Sequence, residues 1–277
     1  MFVSPARPEQ QEKPILTNGI KIFVLLFFCL PFAILLLQSF SAGWQWPRLL
    51  PGTFSWRAWQ SLSREPRMIP AISITLLIGL AVSLINLILG IPAGKGLAHY
   101  RFRGKSLVEA VFLLPLLIPT LAVVMGIHIF MIRVGLTNTV WGVILVHVIP
   151  TLPYTIRIFR HAFENLGSKW EEQAATLGAS QLTIYRTVWL PLLIPSIHSA
   201  LMLSFVISLS QYALTAIIGG GNVVTLAMVY FPYFQSSNRS VLACFTVIFA
   251  LLPLSFYLLM YSLYKLFIRG PGHYRGC

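Results

Sequence analysis

EEQAATLGASQLTIYRTVWLPLLIP, residues 171–195, lies between two strongly apolar stretches. A short polar segment, a glycine, and then a proline-marked return to apolar sequence form the pattern on which the fold turns. The surroundings set its meaning. The chain of 277 residues is 57% hydrophobic and 10% charged, with a mean hydropathy of +0.78, whereas a soluble globular domain carries about 25% charged residues. All seven acidic residues are glutamates. This composition implies an integral membrane protein. The net charge of +13 does not imply nucleic acid, whose readers gather cations on a soluble face. Here the cations lie mostly in short segments between apolar runs, where they set orientation in a bilayer. Cys29, Cys244 and Cys277 form neither a disulfide framework nor a metal spacing, and the terminal Cys277 is no prenylation box.

A membrane helix needs about 20 mostly apolar residues. Six runs meet this: 20–41, 69–97, 107–131, 140–159, 188–217 and 241–267. The first lacks a small-residue cleavage site and reads as an uncleaved span. The expected fold class is an all-α membrane protein. It has an N-terminal tail over 1–19, a six-helix domain over 20–267 and a C-terminal tail over 268–277. With six spans both termini share one side. The segments on that side hold 14 of the 20 lysines and arginines, and Arg48, Arg57, Arg64, Arg67, Arg133 and Arg239 lie opposite. The excess places both termini in the cytoplasm. Trp44, Trp46, Trp56 and Trp59 in the first outer loop suit the headgroup layer. The opening stretch then belongs to the longest cytoplasmic loop, 160–187.

That loop reads as a short docking helix. Ser168 and Glu171 form a capping box, Glu171 and Glu172 suit the helix N-terminus, and Gly178 supplies a left-handed stop. So short a helix is unstable alone and needs a surface to pack on. Trp170, Ala174 and Leu177 make one apolar face at i, i+4 and i+7, and the small Ala174 and Ala175 let another backbone come close. Ser180 caps a second helix that runs through Ile184 and Val188 to Leu190 and Pro191, where the fifth span begins. Movement of the docking helix is thereby transmitted to that span. The bland alternative is a helix resting on headgroups; its lone Lys169 and paired glutamates oppose this, since surface-lying helices are usually basic on the polar face.

The segment resembles the EAA loop of ABC importer permeases, the inner-membrane components of binding-protein-dependent transport systems. That pattern is E-A-A, three residues, G, nine residues, then I-x-L-P. Glu172, Ala174 and Gly178 match, followed by Val188, Leu190 and Pro191; Gln173 and Val188 depart mildly. The resemblance covers residues 65–267 and implies a type I importer permease fold. It also implies a coupling helix that docks into a cytoplasmic ATPase through Glu171, Glu172, Ala174, Ala175, Leu177, Gly178, Leu190 and Pro191. The implied partners are a second permease subunit (identical or different), two ABC ATPase subunits and an extracytoplasmic substrate-binding protein, in the lipid of a bacterial inner membrane and with no nucleic acid. The chain itself would carry no cofactor, ATP and magnesium belonging to the ATPase. Its general look is similar to the polyamine, thiamine and iron branch.

Other function classes fare worse. No phosphate-binding G-x-x-x-x-G-K-[ST] loop occurs: Gly94-Lys95-Gly96 lacks the spacing, and Gly219-Gly220-Gly221 reads as a flexible outer turn. An ion-coupled secondary transporter or channel subunit is the main rival. Such proteins carry ionisable groups inside the membrane, but Glu109 is the only acid within a span, at its cytoplasmic start. His128 and His147 lie within spans and suit interhelical hydrogen bonds. No nucleophile–base set or metal cluster indicates an enzyme. The repeated LPLLIP at 114–119 and 190–195 suggests matched hinges. In the fifth span Ser204, Ser208, Gln211 and Thr215, with Tyr212 beside them, form a polar stripe. It either bonds neighbouring helices or lines a translocation path.

Overall fold

The computed structural model describes residues 14–44, 47–48, 50–167, 169–234 and 238–268. These are helical almost throughout, and among the described residues the one β feature is an antiparallel bridge between Ser41 and Phe54. Four helical segments are long and apolar enough to cross a membrane: Met68–His99, Val140–Leu166, Gln181–Leu209 and Arg239–Ser262. Two shorter apolar helices, Phe23–Ser39 and Leu121–Arg133, fall in the first and third expected spans.

The described residues form two compact units, one within 1–62 and 237–247 and the other within 63–236 and 248–277. The first contains α1 (Pro14–Ser39), most of α2 (Arg57–Ser63) and the start of α12 (Arg239–Ile268). Phe40 packs its ring against Trp56 at 4.9 Å and Trp59 at 5.7 Å. The Ser240 hydroxyl donates to the Ser41 carbonyl at 2.7 Å.

The second unit is built on three mutually packed helices, α3 (Met68–His99), α6 (Val140–Leu166) and α9 (Leu190–Leu209). Around them lie α4 (Lys105–Leu117), α5 (Thr120–Arg133), α7 (Lys169–Thr176), α8 (Gln181–Ile184), α10 (Tyr212–Gly219) and α11 (Leu226–Phe234). Helices pack closely where side chains are small. A Cβ on Gly94 of α3 would lie 2.6 Å from the Phe159 Cβ and 2.8 Å from the Arg160 backbone nitrogen of α6, so only glycine allows that approach. Val82, Val143, Val146 and Ile218 fill one end of the core, and Phe159, Phe163, Leu193 and Ala200 the other.

Between these apolar ends runs a buried polar lattice. Asn86 Nδ2 of α3 donates to Thr151 Oγ1 of α6 at 2.7 Å and to Ser204 Oγ of α9 at 2.9 Å. Thr155 and Ser204 hydroxyls meet at 3.1 Å. His147 meets Ser208 through Nδ1 at 2.9 Å and Thr215 through Nε2 at 3.0 Å. Thr215 spends its own hydrogen on the Gln211 carbonyl. It therefore accepts from Nε2–H, and Ser208 donates to Nδ1. With no water to satisfy such groups inside a bilayer, they bond one another and lock four helices in register.

Two expected spans are corrected. The third, 107–131, is broken: α4 ends at Leu117 and α5 begins at Thr120. Pro119 has no N–H and disfavours helical backbone at Ile118, which is extended at φ −86° and ψ 136°. The fifth, 188–217, starts earlier and stops sooner. The helix runs from Gln181 to Leu209, and Ser210 and Gln211 separate it from α10. The repeated LPLLIP therefore does not mark matched hinges, since its first copy ends at a break and its second lies inside a helix.

The glycine turn at 219–221 is held in place: the Asn138 amide donates to the Ile218 carbonyl at 2.7 Å, and the Asn222 amide to Gly219 at 2.9 Å. Beyond it, Tyr233 of α11 donates its hydroxyl to Glu65 at 3.2 Å. The Arg67 guanidinium beside Glu65 holds that carboxyl below the usual carboxylate range, and burial pushes the Tyr233 phenol up.

Candidate functional site

The 160–187 loop has the geometry of a presented helix. Ser168, half of the expected capping box, lies outside the described residues. From Lys169 to Thr176, α7 is an eight-residue helix with no buried residue. Its C-terminus closes as a Schellman motif: the Ala179 amide donates to the Ala174 carbonyl at 3.0 Å and the Gly178 amide to Ala175 at 2.9 Å. That geometry needs a left-handed residue at its penultimate position, and Gly178 has φ +82°. The chain then turns directly into α8, whose first turn is capped by the Ser180 hydroxyl accepting from the Thr183 amide at 3.3 Å.

The apolar face expected at Trp170, Ala174 and Leu177 is left open. Leu177 is 88% exposed, Trp170 56% and, on α8, Leu182 58%. Ala174 is half-buried and Ala175 exposed, as are Glu172 and Gly178. A Cβ added at Gly178 would meet nothing within 4 Å. Three large apolar side chains thus stand exposed around one capped turn.

The connection from this turn into the membrane is continuous and carries a feature the sequence did not announce. Between α8 and α9, Tyr185–Trp189 form one π-helical turn. Pro191 supplies the reason. It has no N–H to bond the Thr187 carbonyl four residues back, and the ladder shifts, with the Leu190 amide bonding Tyr185 five residues back. Leu190 and Pro191, expected to open the fifth span, instead sit just inside an unbroken helix. Such π turns recur at functional sites.

A second unforeseen residue is Lys95 near the end of α3. Its Nζ lies 3.5 Å from Glu171 Oε2 and 3.4 Å from the centroid of the Trp189 ring. No local pattern marks it, because its partners are distant in sequence.

The polar stripe expected in the fifth span is divided. Ser204, Ser208 and Thr215 are buried and bonded to α6 and α3 as described above. Gln211 and Tyr212 stand at the break between α9 and α10 and are partly exposed. The Gln211 amide makes no side-chain hydrogen bond among the described residues, while Tyr212 stacks on Phe231 at 4.0 Å. The five residues do not share one helix face, because the helix ends at Leu209. His147 makes the interhelical bonds expected of it, whereas His128 makes none among the described residues. Glu109, at the start of α4, pairs with Arg160 of α6 at 2.8 Å.

A family model described as binding-protein-dependent transport system inner membrane component matches residues 86–271. The chain is 30% identical over 209 residues to the spermidine/putrescine transport system permease protein PotC of Haemophilus influenzae, covering 74% of this chain and 79% of that protein. It is 28% identical over 211 residues to the sulfate transport system permease protein CysT of Salmonella typhimurium, covering 72% of each. Among solved structures, it is similar to a bacterial ABC transporter involved in the import of the acidic polysaccharide alginate. That likeness has a TM-score of 0.70 at 16% identity, spans 94% of this chain and 99% of that chain, and is one of fold.

Proposed function

The chain belongs to the family of binding-protein-dependent transport system inner membrane components, and from that premise we propose that it is the permease subunit of a type I ABC importer, coupled to a cytoplasmic ATPase through α7. The observation that carries the coupling is the open face of α7 and α8. Leu177, 88% exposed beside a Schellman stop, with Trp170 and Leu182 near it, supports a partner surface that covers them. The excess of lysine and arginine on the loop side supports a cytoplasmic position for this face and for both termini in a bacterial cell. Glu171, Glu172, Ala174, Ala175, Leu177 and Gly178 form the docking surface, and Leu190 and Pro191 join it to the membrane helix.

A second permease subunit, two ATPase subunits and an extracytoplasmic binding protein complete the importer. ATP and magnesium sit on the ATPase. The path runs past Gln211 and Tyr212, the members of the polar stripe that α6 leaves partly open. The solute is small and polar; polyamine, thiamine and iron are the classes the sequence resemblance implies. Relatives named for spermidine/putrescine transport and for sulfate transport match this chain over similar lengths at similar identity, which favours selection by the binding protein.

Gly178→Asp tests the docking role. The left-handed φ costs a non-glycine residue on the order of 1 kcal/mol, and aspartate is among the residues that tolerate it best. No side chain of the chain itself obstructs a Cβ there, so the variant keeps its own fold and its new charged side chain meets the docked partner. We expect normal membrane insertion, with loss of ATPase co-purification or of substrate-stimulated ATP hydrolysis in proteoliposomes. Full association and full coupled uptake would instead favour a helix resting on lipid headgroups.

A further inference from the structure

We propose that Lys95 is a positioning residue. It ties the docking helix α7 to the end of α3 and to the π turn leading into α9, so that an ATPase displacing α7 moves both membrane helices together. This rests on the docking role of α7 proposed above.

Two contacts converge on the ammonium. It faces Glu171 at 3.5 Å, with both side chains only 23% exposed. It also lies 3.4 Å above the Trp189 indole centroid, where the negative face of the ring attracts a cation. Trp189 in turn packs edge-on against Phe163 of α6 at 5.6 Å, and Phe163 is 1% exposed. The far end of the link is thus anchored in the core. The near end is anchored too, because Gly94, the preceding residue, is pressed against the backbone of α6 at Arg160.

A lysine at a membrane helix end ordinarily extends its ammonium toward headgroup water. This one turns onto an indole face and a carboxylate. Among the described residues, Lys95–Glu171 is the one ion pair joining α7 to a membrane helix. A helix with no buried residue has few other means of passing force to α3. The Schellman turn and α8 carry motion toward α9, and Lys95 adds the route to α3.

The test uses the whole importer in proteoliposomes, with Lys95→Met, Lys95→Arg, Glu171→Gln and the double variant Lys95→Met/Glu171→Gln. Lys95→Met is expected to co-purify with the ATPase as wild type does. Its solute uptake per ATP hydrolysed should fall about fivefold, the change that about 1 kcal/mol produces. Lys95→Arg keeps the charge and stacks on indole, and should restore most of the ratio. Because both single variants break one link, the double variant should lose no more than the worse of them. Should Lys95→Met fail to accumulate, Glu171→Gln reads the same link with the lysine in place: a lowered ratio with wild-type ATPase co-purification supports the link, and a ratio lost together with co-purification assigns Glu171 to docking alone and overturns it.

A wild-type ratio in Lys95→Met and Glu171→Gln would overturn the proposal. So would additive losses in the double variant, which would mean that the two residues act separately. Gly178→Asp separates the two levels. If it leaves ATPase association and uptake intact, the docking role itself fails; if it abolishes them while the Lys95 and Glu171 variants stay normal, only the Lys95 link fails.

Discussion

Asn86 shows what one residue does in an apolar interior. Its side-chain nitrogen bonds Thr151 and Ser204 on two different helices, while its oxygen is buried without a partner among the described residues. The two gains and the one loss act in opposite directions. Interhelical hydrogen bonds in membranes average about 0.6 kcal/mol each, so two contribute about 1 kcal/mol. Asn86→Leu removes these bonds and the orphan oxygen together. Because the orphan oxygen offsets part of that, we expect a fall in thermal stability in detergent of less than about 1 kcal/mol, followed by tryptophan fluorescence. An unchanged midpoint would show that the orphan oxygen had already cancelled the bonds. The polar residues Ser204 and Ser208 were visible as a helical-spaced pair. That they face α6 was not, because a period of 3.6 identifies a shared face and says nothing of its neighbour.

At the scale of elements, proline decides most, and decides differently at each position. Pro92, Pro150, Pro153, Pro195 and Pro253 stay inside helices. Pro119 ends one, and Pro191 converts a turn to π geometry. The lost N–H is common to all; the outcome depends on whether the surroundings re-satisfy the freed carbonyl. The break after Leu209 falls at a polar pair, Ser210 and Gln211. The Ser210 hydroxyl donates to the Ile207 carbonyl at 2.8 Å, one of the local bonds through which serine competes with the helix. Gln211 follows, its side-chain amide making no hydrogen bond among the described residues. If that amide meets the passing solute, Gln211→Leu should lower uptake several-fold, on the order of what one lost hydrogen bond produces, while the assembled complex keeps its amount in the membrane. Uptake equal to wild type would leave the break as architecture only.

At the scale of the molecule, the charge distribution predicts the orientation. Fourteen of the twenty lysines and arginines lie on the side of the 160–187 loop, and that asymmetry directs insertion. With the native cysteines replaced, Lys169→Cys should be blocked from a membrane-impermeant maleimide added outside intact cells and become reactive once the membrane is opened. Labelling from outside would reverse the assignment and remove the docking surface from the reach of any cytoplasmic ATPase.

The class of protein, the approximate count and placement of the apolar spans, and the local design of α7 were legible in the residues. Each depends on short-range properties: the length of an apolar run, the asymmetry of charge around it, and a glycine where the backbone must be left-handed. The packed structure decided which prolines stay inside a helix and which polar residues are consumed in packing. It also brought Lys95 to Glu171 and Trp189. These outcomes depend on which distant groups satisfy a carbonyl, a hydroxyl or an ammonium once water is excluded. Those groups are neighbours only after α3, α6 and α9 have packed.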